Sequence, residues 1–182
     1  VVKNYRKRFA LYPLWATQFG FKGPAIGVKM LDIGCGPLCG MLSIFPRASG
    51  VGIDPLAALY NEVWASPYVI YNWVEAEKQL MCRGKQWADM AWCIDVLDHC
   101  KEPASVLECT ARLLKPGGLL YLYVDMRPEA KRNLLHPNPM TAERLRCLLK
   151  PEWEIREERE YKLDPVKGRY PGIYLTCEKK KQ

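Results

Sequence analysis

No apolar run in this chain approaches the ~18 residues that a membrane-crossing helix requires, so no such helix is expected. The first residues also lack the uninterrupted apolar stretch and small-residue cleavage site of a secretory signal, and a cytosolic protein is the expectation. The eight cysteines are scattered instead of gathered in ligand-spaced pairs, which argues for buried reduced thiols over zinc or disulfides. A Gly-Lys-Ser/Thr phosphate loop is missing too, because Gly84-Lys85 runs into Gln86. No internal repeat or low-complexity linker interrupts the chain.

What is present suits one globular domain over residues 1–182, with 49% hydrophobic and 26% charged residues, and excludes disordered and collagen-like classes. The net charge of +7 gathers at the ends: Lys3, Arg6, Lys7 and Arg8 near the start, Lys179, Lys180 and Lys181 near the finish. The tail reads as a solvated terminus. Around the first cluster Tyr5, Phe9 and Tyr12 recur near helical spacing, which suits a helix packed on the domain better than a nucleic-acid or membrane surface.

Apolar runs alternate with amphipathic stretches, as in a parallel sheet covered by helices. Strands are expected near 28–33, 50–54, 68–72, 88–94 and 118–124, and helices near 3–19, 38–45, 56–65, 75–81, 103–115 and 140–149. Segments beginning at Trp153 and Ile173 alternate in polarity and predict two antiparallel strands at one edge.

The most informative stretch is Met30-Leu31-Asp32-Ile33-Gly34-Cys35-Gly36-Pro37-Leu38-Cys39-Gly40, followed by Val51-Gly52-Ile53-Asp54-Pro55. Glycines at 34 and 36 let a nucleotide lie against the backbone. Asp32 sets a negative charge where a pyrophosphate would otherwise meet bare amide groups, so a nucleoside without phosphates fits better. Asp54, about 20 residues beyond the loop, can accept both hydroxyls of a ribose. The simpler reading of Asp54 is a helix cap before Pro55.

With Glu75-Ala76-Glu77, the run Ala88 to His99, and Leu113-Leu114-Lys115-Pro116-Gly117-Gly118, this order of motifs resembles class I S-adenosylmethionine-dependent methyltransferases over roughly residues 28–125. The resemblance implies an α/β doubly wound fold, a mostly parallel seven-stranded sheet with an antiparallel C-terminal edge and helices on both faces. Residues 1–27 would then form an N-terminal helical segment, 28–125 the cofactor-binding core, and 126–182 a C-terminal part. It implies S-adenosyl-L-methionine as cofactor, held by Asp32, Gly34, Cys35, Gly36, Asp54, Pro55, Glu75, Ala76 and Asp95. In that scheme Asp32 neutralises the donor's ammonium group, and Glu75-Ala76 lie against adenine, although Glu75 can equally open a helix.

Asp95 and His99 leave the fourth strand on the side where the methyl group would point, and an imidazole suits a base at neutral pH. The alternative is a His99 that only hydrogen-bonds the backbone; His136, after the fifth strand, can also reach the site. Asp95, Asp98 and Asp125 can be assembled into an oxygen-rich set, but nothing in their spacing demands it, and no metal is expected.

Asp95 is followed by Val96-Leu97, so the Asn/Asp-Pro-Pro-Tyr/Phe signature of base N-methylating enzymes is missing. About 25 residues precede the first strand and no long insertion caps the site, which suits a glycan or lipid-linked acceptor, or a small molecule enclosed by a second copy of the chain. O-methylation of a small-molecule or glycan hydroxyl by a monomer or homodimer is the first expectation. RNA methylation and a donor-binding partner subunit without turnover are the alternatives.

Overall fold

The computed structural model describes residues 10–46, 48–63, 68–73, 76, 86–167 and 170–181. Five parallel strands are laid down first: β1 (Lys29–Ile33), β2 (Ser49–Ile53), β3 (Ile70–Tyr71), β4 (Ala88–Ile94) and β5 (Leu114–Asp125). Two more, β6 (Trp153–Tyr161) and β7 (Gly172–Lys179), pair antiparallel and complete a seven-stranded sheet of order β3-β2-β1-β4-β5-β7-β6. Strand order therefore reverses between β1 and β4, and a crevice opens at their C-terminal ends.

Both faces of the sheet are covered because side chains alternate along each strand. Leu31 and Ile33 of β1 with Ala91 and Cys93 of β4 face one core, closed by Leu107 and Ala111 of α4 (Pro103–Leu113) and Leu145 and Leu149 of α5 (Ala142–Leu149). Met30, Met90 and Trp92 face the other, closed by Trp15 of α1 (Tyr12–Gln18), Met41 and Leu42 of α2 (Gly40–Ser43) and Ala57 of α3 (Ala57–Val63). That second core is aromatic: Trp92 stacks on Tyr121 at 4.3 Å between ring centroids, and Phe19 meets both rings edge-on.

The expected elements are found with shifted bounds, each for a local reason. The helix expected over 3–19 is described only as Tyr12–Gln18, with Pro13 in its first turn, and residues 3–9 lie outside the described residues. The helix expected over 38–45 shortens to Gly40–Ser43 because Cys39 takes a left-handed φ of 45°. The helix expected to reach 115 stops at Leu113, since Leu114 turns extended and pairs with Ala88. The last helix starts at Ala142, where the Thr141 hydroxyl accepts the Arg144 N–H at 3.2 Å. The helix expected over 75–81 lies outside the described residues except for Ala76.

Candidate active site

Two glycines with left-handed backbones shape the loop after β1, and they do different things. At Gly34 (φ +65°) a β-carbon would stand 2.4 Å from Val96 Cγ2, so the loop is pressed against the end of β4 and no side chain fits. Its N–H donates to the Ile53 carbonyl at 2.7 Å, which joins it to β2 as well. Gly36 (φ +61°) has open space where a β-carbon would be, leaving bare backbone for a ligand to approach.

Asp54, buried at the end of β2, fixes that exposed backbone. Its Oδ2 accepts the Gly36 N–H at 3.1 Å and its Oδ1 accepts the Leu56 N–H at 2.9 Å. The capping role foreseen for it is therefore occupied, and each oxygen keeps a further lone pair for a hydroxyl donor. Burial raises its carboxyl above the ordinary carboxylate range, against the two amide hydrogen bonds that lower it.

A cavity of about 730 Å³ opens over the reversal point, and Gly34, Cys35, Gly36, Asp54, Pro55, Asp95 and His99 all line it. Asp95 does so from a left-handed backbone (φ +62°), a conformation that aspartate tolerates better than most residues. Its N–H donates to the Tyr123 carbonyl at 2.9 Å, so the strained corner is pinned to β5.

Two expected residues are placed elsewhere. Asp32 is buried behind the loop, where Oδ2 accepts the N–H groups of Met41 at 3.0 Å and Leu42 at 3.5 Å, and it is not part of the cavity wall. Burial pushes its carboxyl up to about 7 in spite of those two hydrogen bonds. Ala76 is fully buried in the core beside α4, while Glu75 lies outside the described residues.

On the other wall the two histidines come together around Asp98. His136 Nδ1 hydrogen-bonds Asp98 Oδ2 at 2.7 Å, and the two imidazoles lie 4.2 Å apart between centroids. His99 Nδ1 sits 2.6 Å from the Leu135 carbonyl, which can only accept, so Nδ1 carries the proton and the neutral ring keeps its lone pair on Nε2. Asp98 is fully buried, its Oδ1 has no hydrogen-bond partner, and that oxygen stands 3.9 Å from His99 Nε2. Burial raises the Asp98 carboxyl, with the imidazoles acting in the opposite direction. Asp98, His99 and His136 each offer a donor atom, all within 4.8 Å of one another, and are the set among the described residues that can hold a metal ion.

Sequence reasoning missed the aromatic part of the wall. Tyr12 lines the cavity and lays its ring over Gly40, where a β-carbon would be 2.0 Å away, and Tyr60 and Trp73 line it too. Helical spacing marks Tyr12 as a packing residue, but nothing in the sequence ties it to the first loop. Lys167 is likewise far along the chain from the residues it meets; its ammonium lies 2.7 Å from Asp95 Oδ1.

Strand order, glycine loop and acidic second-strand end together define a class I S-adenosylmethionine-dependent methyltransferase fold. Residues 6–156 match the family model described as a methyltransferase domain, and the chain belongs to that family. It is 37% identical over 127 residues to the ubiquinone biosynthesis O-methyltransferase of Pseudomonas aeruginosa, covering 65% of this chain and 53% of that protein. With the enzyme of that name from Thiobacillus denitrificans it shares 31% over 138 residues, covering 72% and 59% respectively. The chain thus spans little more than half the length of the curated relatives it matches.

Among solved structures, a 1,6-didemethyltoxoflavin-N1-methyltransferase of Burkholderia thailandensis with bound S-adenosylhomocysteine aligns with a TM-score of 0.64 at 16% identity, over 94% of this chain and 77% of that one. The [4+2]-cyclase SpnF aligns at 0.67 and 17% identity, over 96% and 82%. At such identities the likeness is one of fold, and a fold that carries both chemistries leaves the activity to the site.

Proposed function

We propose that this chain binds S-adenosylmethionine in the cavity and transfers its methyl group to a hydroxyl oxygen of a small molecule. When bound, the donor supplies a methyl group already activated on a sulfonium, which leaves a neutral thioether on transfer. The residues present suit such a ligand: Gly36 offers open backbone, and Asp54, in the cavity wall, has lone pairs to spare for ribose hydroxyls and sets an acidic group where a diphosphate would otherwise lie. Cys35 and Pro55 add wall area on either side. Glu75, outside the described residues, remains the proposed adenine neighbour on sequence grounds, whereas Ala76 is buried in the core.

The observation that carries the base assignment is the His99 tautomer. With Nδ1–H held by the Leu135 carbonyl, Nε2 is the ring atom free to accept the proton that an acceptor hydroxyl must lose. The imidazolium so formed would face the unpartnered oxygen of Asp98, and Asp98 is itself held by His136. Base assistance is a modest addition, because holding donor and acceptor in line supplies most of the rate in a displacement of this kind.

The acceptor reading rests on the relatives' name as O-methyltransferases at 31–37% identity. A glycan hydroxyl is the second acceptor class, on sequence grounds alone. The seven described cysteines are free thiols, which suits the reducing cytosol, and among the described residues no helix is long and apolar enough to cross a membrane. A monomer or homodimer remains the proposed assembly.

Calorimetric titration with S-adenosylmethionine, S-adenosylhomocysteine, NAD and ATP tests the donor reading. Micromolar binding of the first two alone is expected. Binding of NAD or ATP in place of the sulfur nucleosides would replace it.

A further inference from the structure

The loop between β6 and β7 reaches back across the sheet to the cavity wall, and its anchoring is extensive. Asp164 is buried, accepts the backbone N–H groups of Val166 (3.0 Å) and Lys167 through Oδ1, and accepts the Tyr174 hydroxyl at 2.6 Å through Oδ2. The Asp164 N–H donates to the Tyr170 carbonyl at 2.7 Å, and the Met126 N–H donates to the Pro171 carbonyl at 2.9 Å. The loop is thus fastened to the ends of β5 and β7 on its own account.

What it delivers is a buried cation. Lys167 Nζ lies 2.7 Å from Asp95 Oδ1 and 2.9 Å from Asp125 Oδ2, with side chains only 10%, 9% and 2% exposed. Asp125 also accepts the Tyr123 hydroxyl and lies 3.3 Å from Arg127 Nη2, while Asp95 faces the cavity. A lysine side chain surrenders considerable rotamer freedom to be held in this way. Two carboxylates on adjacent strand ends repel each other, and the ammonium between them removes that repulsion.

Resting on the donor reading above, we propose that Lys167 is the positioning residue for Asp95 and sets how strongly the cavity prefers a cationic sulfonium donor over its neutral thioether product. With Asp95 and Asp125 both ionised, taking the positive charge from between them makes the site more negative, and donor and product differ at sulfur by one positive charge. Lys167 therefore limits the preference for donor. A structural strut alone would weaken both ligands together and leave their ratio where it was.

The test is titration of wild type, Lys167→Met, Lys167→Gln and Lys167→Arg with S-adenosylmethionine and S-adenosylhomocysteine, with circular dichroism to confirm folding. The ratio of donor to product affinity is expected to rise about three- to tenfold in Lys167→Met, as Coulomb attraction screened by a protein edge permits, and to return within about twofold of wild type in Lys167→Arg. Lys167→Gln keeps hydrogen-bond donors without the charge, so it is expected to follow the methionine variant and serves if that variant does not fold. A ratio unmoved in the folded neutral variants overturns this inference alone. A wild-type protein that binds neither compound overturns the donor reading, and this inference with it.

Discussion

The carboxylate of Asp54 accepts the Gly36 N–H across 3.1 Å, so the end of β2 fixes the exposed turn of the loop after β1. Asp54→Ala removes both that tie and the proposed ribose acceptor. Binding of S-adenosylmethionine is expected to weaken by about 1–3 kcal/mol, measured calorimetrically. Unchanged affinity would remove Asp54 from the site.

The two loop glycines are expected to separate stability from binding. Gly34→Ala sets a methyl group against Val96 at a left-handed backbone, at an expected cost of about 2–4 kcal/mol in urea denaturation. Gly36→Ala meets open space and is expected to cost only about 1–2 kcal/mol while abolishing donor binding, because its methyl group fills the ligand's approach. Equal losses of stability in the two variants would contradict this division.

For His99→Ala, kcat is expected to fall about 100-fold with S-adenosylmethionine affinity unchanged, the mark of a group that acts on the acceptor's proton. Asp98→Asn, one residue removed from the reacting atoms, is expected to lose less. Single-turnover rates on a hydroxylated acceptor check both, and a His99→Ala variant as fast as wild type returns that residue to a purely backbone-bonding role.

Asp32 titrates high in the folded state, up to about 7 from an ordinary 3.8, because it is buried. Between those values the folded chain holds a proton that the unfolded chain has released, so stability falls as pH rises through this window and is level above it. The full effect is at most about 4 kcal/mol. Asp32→Asn is expected to flatten the pH dependence of urea midpoints from about pH 5 to 7. Parallel curves for variant and wild type would show that Asp32 does not titrate there.

Local chemistry made part of this legible in advance. Gly34, Gly36 and Asp54 were identifiable because a strand-to-loop turn and the next strand's end are short-range features, set by a few neighbouring residues. Asp95 and His99 followed because both leave one strand within one turn of chain. Asp32 belongs to the same motif, yet its side chain points into backbone amides behind the loop, a direction that the one-letter order does not encode.

The sequence by itself determined the alternation of strands and helices, the mostly parallel sheet with an antiparallel edge, and the loop that must be glycine. Only the tertiary structure decided that Asp98 meets His136, that Tyr12 seals the first loop, and that Lys167 lies between Asp95 and Asp125. The physical reason is contact distance along the chain. Backbone propensity and polarity patterns act over a few residues, whereas these pairs are brought together by the order in which strands enter the sheet, and that order is fixed by burying both of its faces at once.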